Sequence, residues 1–152
     1  MNIENWRYED FVSANDGKFS VLDFIHAVTR NVAFPQDFSV CIGHLFAPQM
    51  IIFDRVIVAA EWFDEARYQE YRSRGMRSDQ AQAWINMVEL TDIFQGISFE
   101  KAKELAALIA GLWDDRIRRN FPNETIKASV IADEESNEVF VTIGEFLDVE
   151  PV

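Results

Sequence analysis

The side chains best suited to chemistry are two histidines and one cysteine. His44 follows Cys41 by three residues, a helical spacing at which an imidazole could activate a thiol. An isolated cysteine is more often a buried packing residue, and we assign Cys41 that role. His26 follows Asp23 by three residues on the flank of a helix, which is typical of a half-exposed structural histidine. Neither histidine is therefore predicted to be catalytic.

The sequence contains none of the compact motifs that mark common active sites. It lacks the glycine-rich phosphate loops, the strand-to-helix serine turn and the paired-histidine zinc motif. A single cysteine also cannot build a cysteine-based zinc site. The acidic stretch 133–138 lacks the central glycine and the ligand spacing of a calcium-binding EF-hand loop. We predict no catalytic residue, no metal site and no cofactor, and we lean towards a non-enzymatic role.

Arginines concentrate near the ends of two predicted helices, Arg72 and Arg74 in one and Arg116 and Arg118 in the other. Cations at helix C-termini complement the helix dipole, and an ion pair between Asp114 and Arg118 at i, i+4 fits this interpretation. Arginine also binds carboxylate or phosphate groups through paired hydrogen bonds. If the two groups meet in space, these four arginines form an anion site.

Negative charge is concentrated at the end of the sequence. The 152 residues carry a formal charge of −12, and residues 123–152 contribute −7 because eight acids face one base, Lys127. This balance argues against a nucleic-acid binder and favours a basic protein partner, which such a field would steer. The same charge would also protect an exposed sheet edge from strand addition. The candidate partner-binding residues are Asp133, Glu134, Glu135 and Glu138.

Length and composition are typical of one globular domain over residues 1–152. With 49% hydrophobic and 26% charged residues, the chain falls outside the disordered and fibrous classes. No apolar run approaches the roughly 18 residues of a membrane span, so no membrane partner is expected. The N-terminus lacks the features of a signal peptide, and Cys41 has no second cysteine to pair with. We therefore expect a cytoplasmic protein.

Several helices are needed to position these side chains. Residues 1–18 show no clean period and are predicted to be irregular. Residues 36–46 fit a helix or a strand, and we prefer the helix. Capping residues at Ser20, Asp64, Ser78 and Ser98, together with apolar positions three and four residues apart, predict further helices over 20–33, 64–75, 78–90 and 98–120.

Two β-hairpins complete the prediction. Two β-rich runs, separated by Asp54 and Arg55, form the first over 50–60. The second is the acidic C-terminal hairpin over 123–148, with a polar loop at 133–137. We predict an α+β fold in which both hairpins form one small antiparallel sheet, packed against a layer of four or five helices.

Two functions from different classes remain open. The first is a non-catalytic protein-interaction module, of inhibitor or immunity type, whose acidic hairpin covers a basic partner. The second is a small-molecule-binding or catalytic domain with an aromatic-lined pocket and the arginine anion site. Thirteen phenylalanines also allow an exposed apolar helix face, through which the chain could form a homodimer.

Overall fold

The computed structural model describes residues 2–146, which form seven α-helices and two antiparallel sheets. The helices are α1 (Tyr8–Ala14), α2 (Val21–Asn31), α3 (Phe38–Phe46), α4 (Glu65–Ser73), α5 (Ser78–Asn86), α6 (Leu90–Ile93) and α7 (Phe99–Asn120). The strands are β1 (Met50–Phe53), β2 (Val56–Ala59), β3 (Val88–Glu89), β4 (Ala128–Asp133) and β5 (Glu138–Ile143). The predicted α+β class is confirmed. The proposed domain limits stay a prediction, and the last residues of the predicted second hairpin, 147 and 148, lie outside the described residues.

The chain divides into two compact units, residues 1–40 and 41–152, with the division inside α3. In the first unit, rings of Tyr8 and Phe11 on α1 contact Phe19 and Phe24, with centroids 5.2–6.5 Å apart. The prediction of an irregular segment over 1–18 is wrong. A helix of about two turns is too short to show a clear period, and ring contacts that are distant in sequence stabilise it.

Helix α2 begins at the predicted cap. The Ser20 hydroxyl accepts a hydrogen bond from the Asp23 backbone N–H, and the Asp23 carboxylate accepts one from the Ser20 N–H. No side chain described in residues 2–40 is fully buried. Val21, Leu22 and Ile25 are each more than half exposed. The first unit thus carries an apolar surface on α2.

The second unit contains the first hairpin, in which Phe53 pairs with Val56 around a two-residue turn. Asp54 and Arg55 adopt φ values of +48° and +66°, the conformation that matches strand twist in such turns. Strand β2 is buried throughout. Ile57 packs into one apolar cluster and Val58 into another, so both faces of the hairpin are covered.

The two hairpins lie in separate sheets, which corrects the single sheet of the prediction. The short strand β3 pairs with β5, so the second sheet has the order β3-β5-β4. The open edge of β2 is covered instead by the Asn86 side chain of α5. Its Oδ1 accepts from the Ala59 N–H at 2.9 Å, and its Nδ2 donates to the Ile57 carbonyl at 2.8 Å. A side-chain amide therefore occupies the place of a third strand.

Helix α5 ends four residues earlier than predicted. Met87 is extended, and Val88 and Glu89 pair with Val141 and Phe140 of β5. Ser78 is the first helical residue and not the cap, a position held by Arg77 without a side-chain cap. Pairing distant in sequence overrides the local helical pattern here.

The long helix α7 forms the centre of the second unit. Ser98 caps it as predicted, accepting from the Lys101 N–H at 3.2 Å. Trp113 is fully buried and donates its indole N–H to the Leu45 carbonyl at 2.9 Å. The predicted helix over 36–46 is confirmed as α3. Val139, Val141 and Ile143 of β5 share an apolar cluster with α7, which thereby supports the sheet that carries the acidic hairpin.

Candidate functional site

The acidic residues lie at the tip of the hairpin formed by β4 and β5. Asp133 pairs with Glu138, and a four-residue loop joins them. The Asp133 carboxylate accepts from the Glu135 N–H at 3.0 Å and shapes the loop. Asn137 has a φ of +56°, a conformation that asparagine tolerates better than most residues. We call Asp133, Glu134, Glu135 and Glu138 the acidic tip.

A groove of about 560 Å³ adjoins the acidic tip. Its acidic side is the tip, and its apolar side includes Ile131, Phe140 and Phe146. The Phe146 ring packs on Trp84, with centroids 5.2 Å apart. We call this depression the hairpin groove. Within it, carboxylates border an apolar surface, a combination that suits a side chain or segment with both basic and apolar parts.

Within the described part of the chain, the carboxylates of the acidic tip lack compensating cations. None of the four tip residues forms an ion pair with another residue in the described range 2–146. Partial burial raises the pKa of the Glu89 carboxyl on β3, and the adjacent Glu138 carboxylate raises it further. The fold therefore holds like charges together at this end of the sheet.

The four predicted anion-site arginines each have a separate partner. On α4 and just after it, Arg72 Nε lies 3.2 Å from an Asp54 carboxylate oxygen, and Arg74 pairs with Glu70. On α7, Arg116 Nε donates to the Pro48 carbonyl at 2.8 Å, and Arg118 pairs with Asp115. No two of these arginines share a partner among the described residues.

The predicted ion pair between Asp114 and Arg118 is replaced by two other contacts. Asp114 accepts from the Ala128 N–H at the start of β4, 2.7 Å away. Arg118 turns to Asp115 at i, i+3 instead. Sequence spacing shows which residues can meet on one helix, but it does not reveal a backbone N–H brought in from a distant strand.

Cys41 and His44, the pair with helical spacing, have the following surroundings. Cys41 is exposed, so its predicted packing role is wrong. His44 Nδ1 lies 3.6 Å from a carboxylate oxygen of Glu61, which also accepts from the Gln49 N–H. The imidazole therefore faces a carboxylate that already accepts a hydrogen bond from the backbone just before β1.

A second cavity, which the sequence analysis missed, lies beside Arg55. It measures about 420 Å³. Its lining combines the Arg55 side chain with Ile52 of β1 and the residues that follow α7, Asn120, Phe121, Pro122, Asn123 and Glu124. No sequence pattern marks this cavity, because its lining joins the first hairpin to residues about 65 positions later in the chain.

Comparisons leave the chain without an assigned family. No protein-family model matches it, and neither the curated proteins nor the solved structures give a match. Across residues 2–146, no helix is long and apolar enough to cross a membrane. In the same range, no group of three or more His, Cys, Asp or Glu side chains is placed to hold a metal ion.

Proposed function

We propose that the protein is a non-catalytic interaction module that binds a basic protein partner through the acidic tip and the hairpin groove. The observation that carries the proposal is the acidic tip itself. Its four carboxylates form no ion pair within the described range, and they border the apolar side of the hairpin groove. Carboxylates that form no ion pair within the described range would steer a basic partner to this surface and select it over acidic ones.

The environment of Glu89 supports the same conclusion. Its carboxyl lies beside Glu138, and this like-charge contact disfavours the doubly ionised state. A lysine or arginine from a partner would relieve the repulsion. The hydrophobic part of the groove would accept the aliphatic stem of that side chain or a neighbouring apolar residue. Charge and shape therefore favour the same class of partner.

Affinity purification with matched charge variants tests this function. The tip variant carries Asp133→Asn, Glu134→Gln, Glu135→Gln and Glu138→Gln. The control variant carries Glu4→Gln, Asp10→Asn, Asp16→Asn and Asp37→Asn, four exposed acids in the first unit. We expect the native and control proteins to capture a basic protein that the tip variant does not retain.

The purified partner then decides the outcome. Its binding must weaken steeply as salt is added, because exposed charges are screened within about 8–10 Å at physiological ionic strength. Equal retention by the native and tip proteins would contradict the proposal. If the partner is an enzyme or toxin, loss of its activity in the complex would identify an inhibitor or immunity-type role.

Small-molecule binding is the second candidate, favoured by the cavity beside Arg55. A guanidinium at the rim of a partly apolar cavity suits a small ligand with a carboxylate group and an apolar body. Thermal-shift measurements with small aromatic carboxylates test it. Stabilisation of the native protein that disappears in Arg55→Gln would support this candidate, and equal shifts in both would remove it.

A further inference from the structure

Among the described residues, strand β4 forms one edge of its sheet, beside the acidic tip. The order β3-β5-β4 leaves β4 a strand partner on one side only, among the residues described. In an antiparallel pair, successive residues direct their backbone N–H and C=O groups to opposite sides. The Gly144 N–H donates to the Lys127 carbonyl at 2.8 Å. In this register, the odd-numbered residues of β4 direct their backbone N–H and C=O groups towards β5. The backbone groups of Val130 and Ala132 therefore point away from β5.

This edge is covered at its beginning and open further along. The outward N–H of Ala128 donates to Asp114 of α7. Beyond it, the outward N–H and C=O groups of Val130 and Ala132 have no hydrogen-bond partner within residues 2–146. The Val130 side chain is 41% exposed. Unpaired backbone groups of this kind are a template for another strand.

The open edge and the hairpin groove belong to the same surface. Ile131 and Asp133 share a sheet face with their cross-strand partners Phe140 and Glu138, and all four side chains line the groove. A strand added beside β4 would present every second side chain to that face. The carboxylates would repel an acidic strand and attract a basic one, so they select among possible additions.

We propose that the basic partner binds by adding an extended, lysine- or arginine-bearing segment to the edge of β4. The inference rests on the proposed function, because it specifies how the same surface holds its partner. Backbone hydrogen bonds to Val130 and Ala132 attach the segment. Apolar side chains lie over Ile131 and Phe140, and basic side chains reach the acidic tip.

Backbone-methylated peptides test the strand geometry. The probe is a synthetic peptide of about nine residues, with two valines and then two lysines at alternate positions and threonines between them. One analogue has N-methyl groups on the valines and lysines, and the other has the same number on threonines. Because alternate N–H groups face opposite sides of a strand, only one analogue blocks the bonds to β4.

The two analogues have opposite expected results. One should bind like the unmethylated peptide. The other should bind at least about tenfold more weakly, as expected when hydrogen bonds are lost. Equal affinities of both analogues would overturn strand addition. Failure of the unmethylated peptide to bind the native protein would overturn it as well.

A variant of the edge itself provides a second measurement. Val130→Pro removes an N–H that the pairing of β4 with β5 does not use. The control Val130→Thr keeps the N–H and a β-branched side chain. With folding of both verified by circular dichroism, we expect about tenfold weaker peptide binding for the proline variant alone. Equal binding by the two variants would contradict strand addition.

The tip variant separates this inference from the proposed function. If the tip variant loses the peptide while both methylated analogues bind the native protein equally, basic recognition stands and strand addition fails. If the analogues differ but the tip variant binds like the native protein, strand addition stands and the proposed function fails.

Discussion

At the scale of single residues, the decisive feature is which charged groups have partners inside the chain. The arginines that suggested an anion site bind Asp54, Glu70, Asp115 and a backbone carbonyl. The carboxylates of the acidic tip form no ion pair in the described range. Sequence reasoning found the tip because a run of acids is local. The partners of Arg72 and Arg116 depend on the fold and could not be found this way, whereas Glu70 and Asp115 lie about one helical turn from Arg74 and Arg118.

Glu89 provides a prediction for pH dependence. Its pKa is raised in the folded state by burial, by Glu138 and to a smaller extent by Asp92. The folded protein therefore binds more protons than the unfolded chain just above the ordinary carboxyl pKa, and its stability falls as pH rises through that window. We expect Glu89→Gln to increase the free energy of unfolding at neutral pH.

The gain from Glu89→Gln should disappear at pH values below the ordinary carboxyl pKa, where Glu89 is protonated in both the folded and the unfolded state. Urea denaturation of both proteins across pH measures it. Glu124→Gln, an exposed acid outside this contact, is the control and should show little change. A stability difference for Glu89→Gln that is the same at acidic and neutral pH would contradict the assignment.

At the scale of secondary structure elements, side chains distant in sequence decide how the hairpins are arranged. The first hairpin and the helix starts at Ser20, Asp64 and Ser98 were predictable, because turns and caps depend on neighbouring residues. The separation into two sheets was not predictable. It depends on β3 pairing with β5 and on Asn86 covering β2, and both contacts are long-range.

Asn86→Ala should strongly destabilise the second unit. The substitution removes bonds to Ala59, Ile57 and Gln82. It leaves the buried Ala59 N–H without its partner, and the Ile57 carbonyl keeps only a 3.4 Å bond from Gln82 Nε2. We expect a loss of about 2–3 kcal/mol in the free energy of unfolding. Gln69→Ala, which removes an exposed amide from α4, is the control and should change it by less than about 0.5 kcal/mol. Similar losses for both variants would show that Asn86 does not hold β2.

Arg55→Gly should stabilise the first hairpin. Arginine at a φ of +66° experiences a steric cost that glycine avoids. We expect a gain of about 1 kcal/mol relative to Arg55→Ala, which removes the side chain but keeps the strain. Denaturant midpoints of the two variants measure this difference. Equal midpoints would show that the turn stores no strain at this position.

At the scale of the whole molecule, the charge of −12 is distributed unevenly, with −7 in residues 123–152. Arginines elsewhere in the chain could in principle neutralise the hairpin acids. The four candidate arginines have other partners, so the tip remains a concentration of negative charge next to an apolar groove. This arrangement favours a partner-binding surface over an internal ion-pair network.

A surface kept acidic for binding should lower the stability of the free protein. We expect the tip variant to be more stable than the native protein at low salt, by up to about 1 kcal/mol, because it relieves repulsion among carboxylates. The difference should shrink as salt is added. Thermal denaturation of both proteins over a salt series measures it. A tip variant that is less stable at every salt concentration would show that the acids stabilise the fold.

Locating the binding surface tests the central claim most directly. Amide chemical shifts of the ¹⁵N-labelled protein are recorded by NMR while the unmethylated valine–lysine peptide is added. We predict changes concentrated at residues 130–140 that disappear in the tip variant and persist in the control variant with four substituted acids of the first unit. Changes confined to α2 or to the cavity beside Arg55, or equal changes in the native and tip proteins, would contradict the account.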